Sequence, residues 1–229
     1  MSGFNVQGIV FDLDATLINL GGFVEWRKAH EEIVENYLEL DCDVETVKAC
    51  SAKGLFTMLD EMYENLQNIR GDEEARSVQN SAYDILSSFE EKGVESCTLM
   101  DGCFNTLDWI KEKGIPMGIC TSNSLKSAKA ALSLQGLSHY FKVIVGRSVD
   151  FPMKPHPAQL YECFRQIGVD PSMGIMVGDS HKDIISGKAA GAYTIGVPVY
   201  FTRLELMKKA GVDVIINNLA ELPTVLEGL

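Results

Sequence analysis

The sequence predicts an α/β fold, a parallel sheet core interrupted near its start by an all-α helical unit. Three observations carry this. Short apolar runs recur between residues 115 and 216, separated by stretches with helical spacing. Strands alternating with helices imply βαβ units and a parallel sheet. The first such run, Val6 to Phe11, lacks clean apolar–polar alternation, which suits a strand covered on both faces. From about Phe23 to Glu91, by contrast, the pattern is helical and highly charged, with few strand signals.

Each element follows in order. After the Val6–Phe11 strand, Asn19-Leu20-Gly21-Gly22 reads as a turn, and the glycine pair as a plausible hinge. Ile33, Tyr37 and Leu38 recur at helical spacing. So do Leu55, Met58, Leu59 and Met62, and later Ala82, Ile85, Leu86 and Phe89. Gly54, Gly71 and Gly93 punctuate this block. Phe104, Leu107, Trp109 and Ile110 sit on a helix closed by Gly114. Ile115–Cys120 is a strand, and Ser124–Leu134 a helix with a serine cap. Val143–Val145 is a strand, Ala158–Ile167 a helix, and Ile175–Val177 a strand. Ile184–Ala190 is helical and ends at Gly191. Tyr193–Val197 and Val214–Ile216 complete the strands. The expected division is a core domain of residues 1–18 and 96–229 and a helical domain of residues 19–95.

Composition narrows the function classes. The chain has 229 residues, 46% hydrophobic and 23% charged, as suits a soluble globular protein with a sizeable core. A net charge of -12 and the lack of a basic stripe argue against a nucleic-acid partner. The start, Met-Ser-Gly-Phe-Asn-Val, lacks the cationic region of a secretory signal, and no apolar run approaches a membrane span. Six scattered cysteines with no C-x-x-C pair read as reduced thiols in a cytoplasmic protein.

In an open parallel sheet, ligands bind outside the carboxyl ends of the strands. The first strand ends in Asp12-Leu13-Asp14-Ala15-Thr16. Asp12 and Asp14 alternate with apolar neighbours, so both leave the same side of a strand mouth. Two carboxylates that close repel, and become tolerable on a divalent cation or a substrate. We read Asp12 as a nucleophile, Asp14 as its general acid/base partner, and the pair as one wall of a Mg2+ site. Another strand ends in Thr121-Ser122-Asn123, before a helix. A third ends in Gly178-Asp179-Ser180-His181-Lys182-Asp183. A loop after the Val143 strand carries Lys154-Pro155-His156-Pro157. Four carboxylates, a lysine and small hydroxyl and amide groups thus reach one edge.

With these residues in place, the chain resembles the haloacid dehalogenase-like hydrolase superfamily, and looks like its phosphoglycolate phosphatase-like branch with a helical cap. The matching signatures are D-x-D-x-T at Asp12 to Thr16, the hydroxyl of Thr121, Lys154, and G-D-x-x-x-D at Gly178 to Asp183. The resemblance implies a Rossmann-like core and a cap that closes over the site. It implies a Mg2+-dependent phosphatase of small phosphate esters acting through an aspartyl-phosphate on Asp12. It implies Asp12, the Asp14 carbonyl and Asp179 as metal ligands, with Asp183 behind them or bound through water. Thr121 and the following amides, with Ser122, Asn123 and Thr16, would hold the phosphoryl group, and Lys154 would neutralise its charge.

Lys53-Gly54 resembles the cap's substrate-specificity loop, so Lys53 is a candidate for a second anionic group. Trp26 and Trp109 read as core. One letter departs from the pattern. Ala15 stands where the superfamily usually has glycine, and a positive φ there would cost alanine on the order of 1 kcal/mol. The rival readings are a phosphomutase similar to beta-phosphoglucomutase and a non-catalytic binding protein of the same fold. The expected oligomeric state is monomer or homodimer.

Overall fold

The computed structural model describes residues 5–199 and 201–229. Residues 1–4, part of the start read above as lacking a secretory signal, lie outside the described residues.

Six parallel strands form the central sheet. They are β1 (Gly8–Phe11), β4 (Met117–Ser124), β5 (Phe141–Arg147), β6 (Gly174–Gly178), β7 (Tyr193–Gly196) and β8 (Val214–Ile215), in the spatial order β5-β4-β1-β6-β7-β8. All four residues of β1 are buried, as its unbroken apolar sequence requires of a central strand covered on both faces. The chain moves outward from β1 through β4 to β5, then crosses back to β6 on the other side. That reversal opens a crevice at the carboxyl ends of β1, β4 and β6. Two further strands, β2 (Ile18–Asn19) and β3 (Thr98–Leu99), pair antiparallel. They lie where the chain leaves the sheet and where it returns.

Between β2 and β3 run α1 (Trp26–Glu39), α2 (Val44–Ser51), α3 (Leu55–Arg70) and α4 (Asp72–Val94). Gly54 and Gly71 separate helices at positive φ, as read from the sequence. Gly93 does not break the block. It lies inside the last turn of α4, where a Cβ would meet Val24 and the Phe23 carbonyl at 3.1 and 3.2 Å. Its lack of a side chain lets the helix press against the chain entering the block.

The remaining helices are α5 (Cys103–Glu112), α6 (Leu125–Leu134), α7 (Ala158–Ile167), α8 (His181–Ala190), α9 (Phe201–Lys209) and α10 (Leu222–Gly228). Ser124 caps α6 by accepting from the Ser127 N–H. A capping box opens α8: the Ser180 hydroxyl meets Asp183, and the Asp183 carboxylate accepts from the Ser180 N–H. The α8 helix therefore starts three residues earlier than its apolar pattern suggests, which puts Asp183 in its first turn.

Candidate active site

Strand β1 delivers Asp12. Its backbone N–H continues the ladder to the Val177 carbonyl at 2.8 Å, which fixes the residue at the strand mouth, 7% exposed. Lys154, 4% exposed, arrives from the loop after β5. Its ammonium donates to Asp12 Oδ1 at 2.7 Å, to Asp183 Oδ1 at 2.5 Å and to the Cys120 carbonyl at 2.9 Å. Burial works against that charge, but Asp12 and Asp183 overcome it and hold the ammonium above its usual range. Burial, opposed by Lys154 and reinforced by Asp183, raises the Asp12 carboxyl. Asp179, at the end of β6, is buried and ion-paired with Arg203 of α9.

Carboxylate oxygens of Asp12, Asp179 and Asp183 all lie within 4.8 Å of one another. Three buried hard-oxygen ligands at that spacing fit Mg2+, which favours carboxylates and its own waters. The Asp183 oxygens are both engaged already, one by Lys154 and one by Ser180. That leaves Asp183 the weakest candidate for direct ligation.

The Asp14 side chain is not part of this cluster. Its Oδ1 accepts from the Leu20 and Gly21 N–H groups at 2.9 and 2.7 Å. A Cβ on Gly21 would lie 2.3 Å from Asp14 Oδ2, so glycine there serves a close approach. Burial pushes the Asp14 carboxyl up, against the pull of those amides and of Arg203. Between Asp14 and Thr16 the chain turns through Ala15 at φ 58°. The position that usually carries glycine does adopt the left-handed region here, and alanine occupies it. The turn takes Thr16 out of the cavity: Thr16 is buried and lines a groove with Asn19 and Leu219 instead.

From β4, the Thr121 hydroxyl donates to Asn123 Oδ1 at 3.0 Å and accepts the Asn123 N–H at 3.1 Å. Asp12, Asp14, Ala15, Thr121, Ser122, Asn123, Lys154 and Asp179 surround one cavity of about 370 Å³. Its outer wall is Trp26 and Phe56 from the helical block, with ring centroids 5.8 Å apart, and Lys182, Arg203 and Leu206. A larger cavity of about 740 Å³ lies between α3, α4 and the 148–157 loop, and contains none of these aspartates.

Lys53 does not reach the cavity. It is exposed and paired with Glu61 at 2.8 Å, because the α2–α3 turn carries it to the outside. Phe56, three residues on, takes the inward position. Trp26, read above as core, is half-buried and anchored by its Nε1–H to the Gly21 carbonyl at 2.8 Å. Lys182 was visible between Asp179 and Asp183 but carried no signal of its own; its ammonium lies 5.9 Å from the Phe56 ring centroid. Arg203 lies on α9, seven residues beyond the end of β7 and outside every motif the sequence offered, so nothing in the sequence pointed to it.

Residues 9–197 match the model of the haloacid dehalogenase-like hydrolase family. The chain belongs to that family. Its relatives include a pyrophosphatase of Bacillus pumilus, 27% identical over 222 residues and 97% of each chain. A phosphoglycolate phosphatase of Yersinia pestis is 25% identical, covering 95% of this chain and 91% of its own. Among solved structures, beta-phosphoglucomutase from Clostridium difficile shares the fold with a TM-score of 0.66 at 19% identity, covering 97% of this chain and 96% of that one. The family membership makes this chain a hydrolase with the fold that the sequence predicted.

Proposed function

We propose that this hydrolase is a Mg2+-dependent phosphatase of small phosphorylated metabolites, with residues 19–95 acting as the cap over a core of 1–18 and 96–229. The observation that carries the reading is Asp12: a buried carboxylate at a strand mouth, gripped by Lys154 on one side and open to the cavity on the other. Relatives named phosphoglycolate phosphatase and pyrophosphatase support it, since both names denote removal of a phosphoryl group.

In this reading Asp12 attacks the phosphorus. A carboxyl–phosphorus bond forms, the ester P–O bond breaks, and an aspartyl-phosphate results. Asp14 gives the leaving oxygen its proton, then takes one from the water that hydrolyses the intermediate. Its Oδ1 is occupied by the Leu20 and Gly21 amides, so Oδ2 is the proton carrier. The upward push of burial on Asp14 suits a group that must arrive protonated. Lys154 holds Asp12 in place and offsets phosphoryl charge, and Asp183 orients Lys154. Thr121, Ser122 and Asn123 receive the phosphoryl oxygens. Held by Asp12 and Asp179, with Asp183 behind, Mg2+ would supply positive charge to the attacking carboxylate and the phosphoryl group. Thr16 and Lys53 lie away from the cavity and take no part. Six free cysteines fit a reducing, cytoplasmic compartment.

The test is phosphate release from p-nitrophenyl phosphate with and without Mg2+. Chelation should abolish turnover, and Asp12→Asn should lower kcat by about 10³-fold or more while the fold survives. A fully active Asp12→Asn enzyme overturns the reading. Conversion of a sugar 1-phosphate to its 6-phosphate without phosphate release would mark a phosphomutase instead.

A further inference from the structure

Glu90 lies on α4 of the helical block, does not line the catalytic cavity, and is fully buried. It pairs with Arg147, the last residue of β5, and both side chains are 0% exposed. Arg147 Nη1 donates to Glu90 Oε1 at 2.7 Å and to the Ser122 carbonyl at 2.7 Å. A buried carboxylate needs further donors for its remaining lone pairs. Arg147 Nη2 reaches Glu90 Oε2 at 3.4 Å, and the other donors come from the chain that follows Thr121. The Ser124 N–H donates at 2.9 Å, the Ser127 hydroxyl at 3.2 Å and Asn123 Nδ2 at 3.4 Å. Asn123 in turn exchanges two hydrogen bonds with Thr121. Residues 121–124 are therefore tied, through one another, to a single carboxylate–guanidinium pair.

The place that Glu90 fills is itself informative. The N-terminus of α6 is where a phosphate would ordinarily settle. Here a fixed internal carboxylate already accepts the Ser124 N–H. The turn is thus shaped before any substrate arrives, with Thr121 and Ser122 facing the cavity beside Asp12. The pair is neutral as a whole, so it acts on the site through geometry and not through net charge.

We infer that Glu90, held by Arg147, is a positioning residue that sets the Thr121–Ser124 turn in its phosphoryl-receiving shape. The inference rests on the phosphatase reading above. A pair that only stapled α4 to the sheet would change stability and leave phosphate affinity alone. A positioning pair changes both.

The test compares wild type with Glu90→Asp and Arg147→Lys. The first keeps the charge and withdraws the carboxylate by one methylene, about 1.5 Å. The second keeps the charge and loses the forked donor. With p-nitrophenyl phosphate and Mg2+, kcat/KM should fall about 10²-fold, the cost of a small misplacement at a reacting centre. Inhibition by inorganic phosphate should weaken about tenfold. The Mg2+ concentration for half-activation should stay as in wild type, because neither residue touches Asp12 or Asp179. Variants that melt earlier, yet match wild type in kcat/KM and phosphate inhibition while folded, overturn the inference. Should either fail to fold, Ser127→Ala removes a single Glu90 donor and is expected to show the same pattern at smaller size. A wild-type chain inert toward p-nitrophenyl phosphate defeats the phosphatase reading instead. Calorimetric titration with inorganic phosphate then decides the positioning role directly, by weaker binding in the variants or by equal binding.

Discussion

Ala15 stores strain where the chain turns out of the site. At φ 58° an L-residue costs roughly 1–2 kcal/mol, which the surrounding contacts must offset. Those contacts are the Ala15 N–H to the Ile18 carbonyl at 2.6 Å and the Leu17 N–H to the Leu13 carbonyl at 2.9 Å. Asp60, on the face of α3 turned toward Lys182, carries a different burden. Burial pushes its carboxyl up to about 6, with Lys182 pulling the other way. A carboxyl raised on folding gives stability that is complete below its unfolded pKa and is lost as pH rises through the folded value. At neutral pH the ionised group therefore costs the fold about 1–2 kcal/mol, after allowance for its partial exposure. Asp60→Asn should raise the melting temperature at pH 7, and the gain should fade by pH 4. Thermal melts at the two pH values check it; an equal gain at both would show that titration is not the cause.

The corner between β6 and α8 shows why an element must end as it does. A Cβ on Gly178 would lie 2.4 Å from Asp183 Cγ and 2.5 Å from its Oδ2. The strand must end in glycine because the first turn of α8 folds its carboxylate back against it, toward Lys154 and Ser180. Gly178→Ala should destabilise by about 1–3 kcal/mol, the cost of overpacking, and lower kcat/KM because Asp183 releases Lys154. Melting and steady-state kinetics report the two effects; a variant wild-type in both would show that Asp183 can retreat without consequence. The glycine and both aspartates were legible as a motif because they follow an apolar strand at fixed spacing. Strands β1 and β4 to β8 were legible for the same reason. Strands β2 and β3 were not, since two residues carry no period. Nor was α9, whose apolar residues form no clear stripe. The Glu90–Arg147 pair spans 57 positions, and nothing local in either residue announces the other. The outward placement of Lys53 was not legible, because a helix–helix turn can face in or out and its sequence does not say which.

At the scale of the whole molecule, the inserted helices are not a separate body resting on the sheet. One contiguous buried cluster runs from Ile9 and Phe11 of β1 through Leu20 and Val24 into the block. It takes in Ile33 and Tyr37 of α1, Met58 and Leu59 of α3, and Leu86 and Phe89 of α4. It also includes Ala128 and Leu132 of α6, on the core side. Polar ties cross the same boundary. Arg76 pairs with Asp150 at 2.9 Å, Glu90 with Arg147 at 2.7 Å, and Ser87 with Ser124 at 2.9 Å. All three leave α4, so this helix is held to the core along most of its length. Any opening over the cavity then falls to α1, α2 and α3, which supply Trp26 and Phe56. A shared core means shared loss: the helices cannot unfold without exposing the face that covers the sheet. Calorimetry should give one transition, with a van't Hoff enthalpy close to the calorimetric one. Both should be about 160 kcal/mol near 60 °C, from typical values per residue for 229 residues. Mg2+ binding near Asp12 and Asp179 should move that single transition upward as a whole, helical signal included. Two resolved transitions, with only the later one responding to Mg2+, would show that the helical block keeps its own core after all.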